Sequence, residues 1–117
     1  MSEKMNILIL SCGTRNKIVQ YFKKELGDRG LVMATDCSEL APALYDADKY
    51  FIVPRMKDVG YIDVILSICK KNKIKAVLSL IDPELSLIAK HRQDFLDIGT
   101  TPIISDYDVV EMCYDKY

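Results

Sequence analysis

Residues Ile7–Arg15 read "ILILSCGTR", and the way this stretch is parsed decides the fold. Four apolar residues pass at once into small polar ones, a glycine and an arginine. A short continuous apolar run suits a strand covered on both faces, as in parallel sheets. The polar step after it suits a tight loop that opens a helix. Such loops can hold an anion on the backbone N–H groups of the helix N-terminus. Gly13, Thr14 and Arg15 are therefore candidate binding residues, beside the plainer reading of a compact turn.

Outward from this stretch the pattern alternates. The first strand is expected over Met5–Leu10, followed by a helix over Lys17–Arg29. That helix carries Ile18, Val19, Phe22 and Leu26 on one face, and Gly27 and Gly30 end it. Strands are expected over Leu31–Thr35, Lys49–Val53, Ala76–Ile81 and Pro102–Ile104. Between them lie a short helix within Ser38–Tyr45 and a helix over Tyr61–Lys73 with Asp58 as its cap. Another helix begins at Asp82-Pro83-Glu84 and closes at Gly99, with Leu85, Ile88, Ala89, Arg92, Phe95 and Leu96 as its inner stripe. A last helical segment starts at Ser105-Asp106 and runs to Tyr117. Strands alternating with helices predict an α/β domain. Its form is an open doubly wound parallel sheet of about five strands in order 3-2-1-4-5, a Rossmann-like three-layer α/β/α arrangement.

Composition bounds the function. With 117 residues the chain is one domain, and with half of them hydrophobic it can build an ordinary core. Sixteen Lys and Arg stand against seventeen Asp and Glu, so no charge surplus marks a nucleic-acid or membrane partner. No apolar run approaches the roughly 20 residues that span a bilayer. Cys12, Cys37, Cys69 and Cys113 are scattered and His91 is the only histidine, which argues against zinc and for reduced thiols in the cytoplasm. Neither G-x-x-x-x-G-K-[ST] nor G-x-G-x-x-G occurs, so the phosphate-loop and dinucleotide fingerprints fail. Cys12 has no evident base to make it a nucleophile.

In such sheets ligands bind beyond the carboxyl ends of the strands, where the strand order switches. Asp36 at the end of strand 2, and Asp82 and Glu84 after strand 4, should meet the Gly13–Arg15 loop at that rim. Each carboxylate also has a plain structural reading: Asp36 as a cap of the next helix, Asp82 as an N-cap. When ionised they accept hydrogen bonds only, which suits an amine or ordered loop amides.

Several stretches together resemble one family: "ILILSCGTR", "ATDCSELAPALYDADKYFIVPR" (34–55), "YIDVILSICKKNKIKAVLSLIDPELSLIA" (61–89) and the terminal "DYDVVEMCYDKY" (106–117). They are similar to the N-terminal, pre-ATP-grasp domain of ATP-grasp ligases, in the short form of the carbamoyl-phosphate-synthase large-subunit-like proteins. The resemblance spans nearly the whole chain. It implies a single domain over 1–117 that precedes ATP-grasp lobes starting at about Asp115–Tyr117. It also implies an ATP-dependent carboxylate–amine or ammonia ligase in which this domain is the substrate side and is inert alone. ATP and Mg2+ would then belong to the parent protein rather than to this chain. The partners implied are the chain's own C-terminal ATP-grasp domain and a small carboxylate or amine, with a homodimer left open. The alternative is a stand-alone binding or regulatory module on the same fold.

Overall fold

The computed structural model describes residues 5–79 and 81–103, with the backbone alone at residue 82. Five parallel strands form one sheet: β1 (Asn6–Leu10), β2 (Val32–Asp36), β3 (Lys49–Ile52), β4 (Ile74–Ser79) and β5 (Thr101–Ile103). Their order is β3-β2-β1-β4-β5, as the alternating pattern predicts. The helices are α1 (Asn16–Leu26), α2 (Tyr61–Lys71), α3 (Asp82–Lys90) and α4 (Arg92–Asp97). Short 3-10 turns cover Gly27–Arg29 and Pro42–Asp46, the second replacing the short helix expected there.

The sheet separates two apolar cores. Ile7, Ile9, Val32, Ala34, Ala76 and Leu78 face α1 and the Pro42–Asp46 turn, packing with Val19, Phe22, Leu26 and Leu44. Leu8, Leu10, Met33 and Val77 face the other way, toward Tyr61, Ile65, Cys69, Ile88 and Phe95. Alternate residues of each central strand enter opposite cores, which is why these strands read as unbroken apolar runs. The one polar residue in β1, Asn6, sits at its entry. Its amide donates to Asn72 O at 3.1 Å and its carbonyl accepts from Leu31 N at 3.0 Å. One side chain thus ties the starts of three strands.

β3 differs from the central strands. It pairs with β2 on one side only, and Tyr50 and Ile52 are about half exposed. Tyr50 meets Tyr45 edge-on, with ring centroids 5.2 Å apart.

Three local expectations change. The helix after β4 breaks at His91, whose ring Nδ1 lies 3.0 Å from an Asp94 carboxylate oxygen. The break turns the apolar stripe, so Ile88 and Phe95 stay inside while Ala89, Arg92 and Leu96 are exposed. Asp58 is not the cap of α2. Gly60, at φ 90°, takes that position, and the Asp58 carboxylate instead accepts from Arg55 N at 3.2 Å. Asp82 is not the cap of α3 either. Leu85 N donates to Ile81 O, which makes Ile81 the cap and puts Asp82 first in the helix and Pro83 second. The segment expected from Ser105 to Tyr117 lies outside the described residues.

Candidate functional site

The loop after β1 is stapled to its neighbours. Ser11 (φ 49°) and Gly13 (φ 50°) both take left-handed backbone angles, so the chain folds sharply back from the sheet. Cys12 N donates to Thr35 O at 3.1 Å. Gly13 N donates to Asp36 Oδ2 at 2.8 Å, and Gly13 O accepts from Ala43 N at 3.1 Å. The second Asp36 oxygen accepts from Ser38 N at 3.2 Å. Asp36 therefore holds loop amides, one of the two roles that its chemistry allowed. The Gly13 N–H is committed to that carboxylate.

Behind the rim lies a buried acid. Glu84, in the first turn of α3, has no exposed surface. Its carboxylate accepts from Ser11 Oγ at 2.9 Å, from Ser79 Oγ at 2.5 Å and from the Tyr61 hydroxyl. Four elements meet on this one group: the ends of β1 and β4 and the starts of α2 and α3. Three hydroxyl donors replace the water that an ionised carboxylate loses on burial. Ser79 Oγ also accepts from Ile81 N, so the turn into α3 is set by the same cluster.

In front of the loop a pocket of about 610 Å3 opens at the carboxyl ends of the strands. Its lining includes Gly13, Thr14 and Arg15 from the β1 loop and Asp36 from β2. Arg55, Met56 and Lys57 come from the segment after β3, and Ile81 and Pro83 from the entry to α3. Of the six residues singled out from the sequence, four share this pocket: Gly13, Thr14, Arg15 and Asp36. Glu84 lies enclosed behind it, and the side chain of Asp82 lies outside what the structure describes. The pocket reaches past the strand-order switch toward β3, and so gains Arg55 and Lys57, which sequence reasoning did not single out. The only trace of them was that a strand-stopping Pro54, followed by the charged Arg55, ends an apolar strand. A second cavity of about 390 Å3 adjoins, and Met56 and Lys57 line both.

The pocket's cations stand apart from its carboxylate. Among the described residues the side chains of Arg15, Arg55 and Lys57 make no hydrogen bond or ion pair. Nor does any group of three or more His, Cys, Asp or Glu side chains stand together as metal ligands would, among the described residues. No helix among them is long and apolar enough to cross a membrane.

Residues 7–103, most of the described domain, match the family described as "PylC-like, N-terminal domain". The chain belongs to that family. PylC-like N-terminal domains are ATP-grasp-related, so the expectation of a pre-ATP-grasp domain holds at this level. None of the curated proteins compared with this PylC-like domain matches it.

Burial of three ionisable side chains should make the PylC-like domain sensitive to alkali. Burial, then the nearby Asp36 charge, pushes the Cys12 thiol from 9.0 to about 11, against the pull of backbone hydrogen bonds. Burial pushes Cys69 to about 12, although a hydrogen bond with Thr100 opposes it. Burial and then the Glu84 charge raise the Tyr61 phenol well above its ordinary 10.0. All three shifts are upward, so the folded state keeps protons that the unfolded chain releases. Their contribution is complete below the unfolded values and is lost as pH climbs through 9 to 12 and beyond. Urea midpoints should hold to about pH 8 and fall steeply by about pH 11; a flat profile over that window would contradict these environments.

Proposed function

We propose that this chain is the N-terminal, substrate-side domain of an ATP-dependent ATP-grasp ligase. The reaction class is the joining of a carboxylate to an amine or ammonia, in the manner of the carbamoyl-phosphate-synthase-like proteins of short form. The observation that carries the reading is the rim pocket, with Arg15, Arg55 and Lys57 lacking a side-chain partner among the described residues, in a domain of the PylC-like N-terminal family. ATP and Mg2+ are assigned to the ATP-grasp lobes of the parent protein. Among the described residues no group of three or more His, Cys, Asp or Glu stands ready to hold Mg2+. We place the protein in the cytoplasm, where Cys12, Cys37 and Cys69 would stay reduced.

In this reading the rim pocket binds and orients one substrate against the ATP-grasp lobes. Positive side chains would hold its anionic end, and the Asp36 clamp and Glu84 cluster keep the loop in place. This domain supplies no catalytic group. Placing a reactant is itself a large part of a bimolecular rate.

The test is ADP release by protein carrying the ATP-grasp lobes, screened across amino acids and ammonia, with the 117-residue chain as control. Substrate-dependent ADP release from the longer protein alone is expected. Saturable Mg-ATP binding by the short chain at micromolar levels would sink the assignment and favour a stand-alone module.

Arg15→Ala separates loop as turn from loop as site. Arg15 occupies the cap position of α1, where a cation opposes the helix dipole by about 0.3–1 kcal/mol. The variant should melt within about 0.5 kcal/mol of the parent or slightly above it. Substrate-dependent ADP release should drop about tenfold or more, as loss of a charge-assisted contact implies. An unchanged turnover would show that the site has been misplaced.

A further inference from the structure

We infer that the rim pocket is built for a dianionic group of the phosphate-monoester class, gripped by Arg15, Arg55 and Lys57. The inference rests on the reading of this pocket as the substrate site, and it names the chemistry of the end that is held. Among the described residues three cations and one carboxylate line the cavity, a surplus of two positive charges. Asp36 spends both oxygens on the N–H groups of Gly13 and Ser38. None of the three cations has a protein partner among the described residues. Like charges gathered in a concave wall raise its potential, and an anion relieves that repulsion. A monocarboxylate would neutralise half of the surplus, whereas a phosphate monoester, with close to two charges at neutral pH, neutralises it.

The shapes agree with the charges. Two guanidinium groups suit an oxyanion that can accept paired hydrogen bonds, and a lysine adds a point charge. The Gly13 N–H is already taken by Asp36, so the grip is assigned to the three cationic side chains. Val53, Pro54, Met56, Ile81 and Pro83 supply an apolar wall for the carbon part of the ligand. A cavity of about 610 Å3 is the size that takes a small molecule.

The probes are phenyl phosphate and benzoate, which share a ring and differ in charge. Each is titrated into the 117-residue chain at matched ionic strength and followed by amide NMR shifts. At about pH 8 phenyl phosphate should bind about tenfold or more tightly than benzoate. Its shifts should centre on residues 11–15, 36–37 and 53–57. Near pH 5 the phosphate carries one proton more, since its second pKa is about 6, and the advantage should collapse. The double variant Arg55→Ala/Lys57→Ala should lose about tenfold or more for phenyl phosphate and only a few-fold for benzoate. Both side chains are exposed, so its melt should match the parent. Equal binding of the two probes, shifts elsewhere, or an unaffected double variant would each overturn the inference. Ligase activity with a substrate that carries no phosphate would overturn the phosphate class and leave the ligase reading standing. Absence of any substrate-dependent ADP release would remove the ligase reading and leave the binding data unaffected.

Discussion

Glu84→Ala is expected to cost about 2–4 kcal/mol of stability, because an acceptor shared by three hydroxyls is lost and its buried space is left empty. The side chain has no exposed surface and satisfies Ser11, Ser79 and Tyr61 at once. Without it three hydroxyls lose their acceptor; Ser79 and Tyr61 are buried and Ser11 is half-buried, and a buried unsatisfied group costs about 1–3 kcal/mol. The loss falls where β1, β4, α2 and α3 converge, so it cannot be absorbed by one loop. Glu84→Gln keeps the shape and one acceptor oxygen, and the hydroxyls can rotate to accept from its amide. It should lose a smaller amount, about 1–2 kcal/mol. Urea unfolding of the two variants beside the parent reads both figures. If the alanine variant lies within about 0.5 kcal/mol of the parent, the cluster does not hold the rim together.

Gly30→Ala should be comparably damaging for an opposite reason: an atom is added where none fits. Gly30 is extended, at φ −178°, so its backbone angles are open to any residue. Space is what forbids a side chain. A Cβ there would lie 2.1 Å from Met5 O and 2.4 Å from Met5 C. Both are main-chain atoms of the segment that enters β1, and Met5 N donates to Arg29 O at 2.7 Å beside them. A flexible side chain could swing aside, but this backbone is pinned by its pairing with the β2 entry. Overpacking typically costs about 1–3 kcal/mol, and a clash with main chain belongs at the top of that range or above. A melt close to the parent's would mean that the two chain segments lie further apart than the structure has them. Gly27→Ala is a useful contrast: its Cβ would meet nothing within 4 Å, so only its φ of 53° resists substitution.

The sheet order could be read from sequence because each buried strand declares itself locally, as "ILIL" does, and right-handed crossovers leave few topologies. The rim could be read in part for the same reason: strand ends place Gly13, Asp36 and Pro83 together whatever the side chains do. What failed was information that exists only in three dimensions. Asp82 looks like a helix cap by residue type, but the cap is set by which carbonyl accepts from Leu85 N, and that is Ile81 O. Glu84 looks like a surface acid in a first helical turn. Its burial depends on Ser11, Ser79 and Tyr61, which lie 73, 5 and 23 positions away. The break at His91 involves neither glycine nor proline, so no local signal interrupts the apolar stripe that runs from Leu85 to Leu96. Arg55 and Lys57 went unseen because the pocket extends beyond the strand-order switch.

The position of β3 has a consequence for measurement. Four residues long and paired along one edge only, it is less restrained than the central strands, and the segment after it delivers Arg55 and Lys57 to the pocket. Local opening of an edge strand takes less free energy than global unfolding, so its amide hydrogens should trade with solvent sooner than those of β1 or β4. A ligand that binds only when those cations are in place must hold β3 closed, by an amount fixed by its concentration relative to its dissociation constant. Deuterium uptake at residues 49–52 therefore becomes a gauge of occupancy. It can be read without knowing the reaction, and it lets a library of anions be ranked on the bare domain.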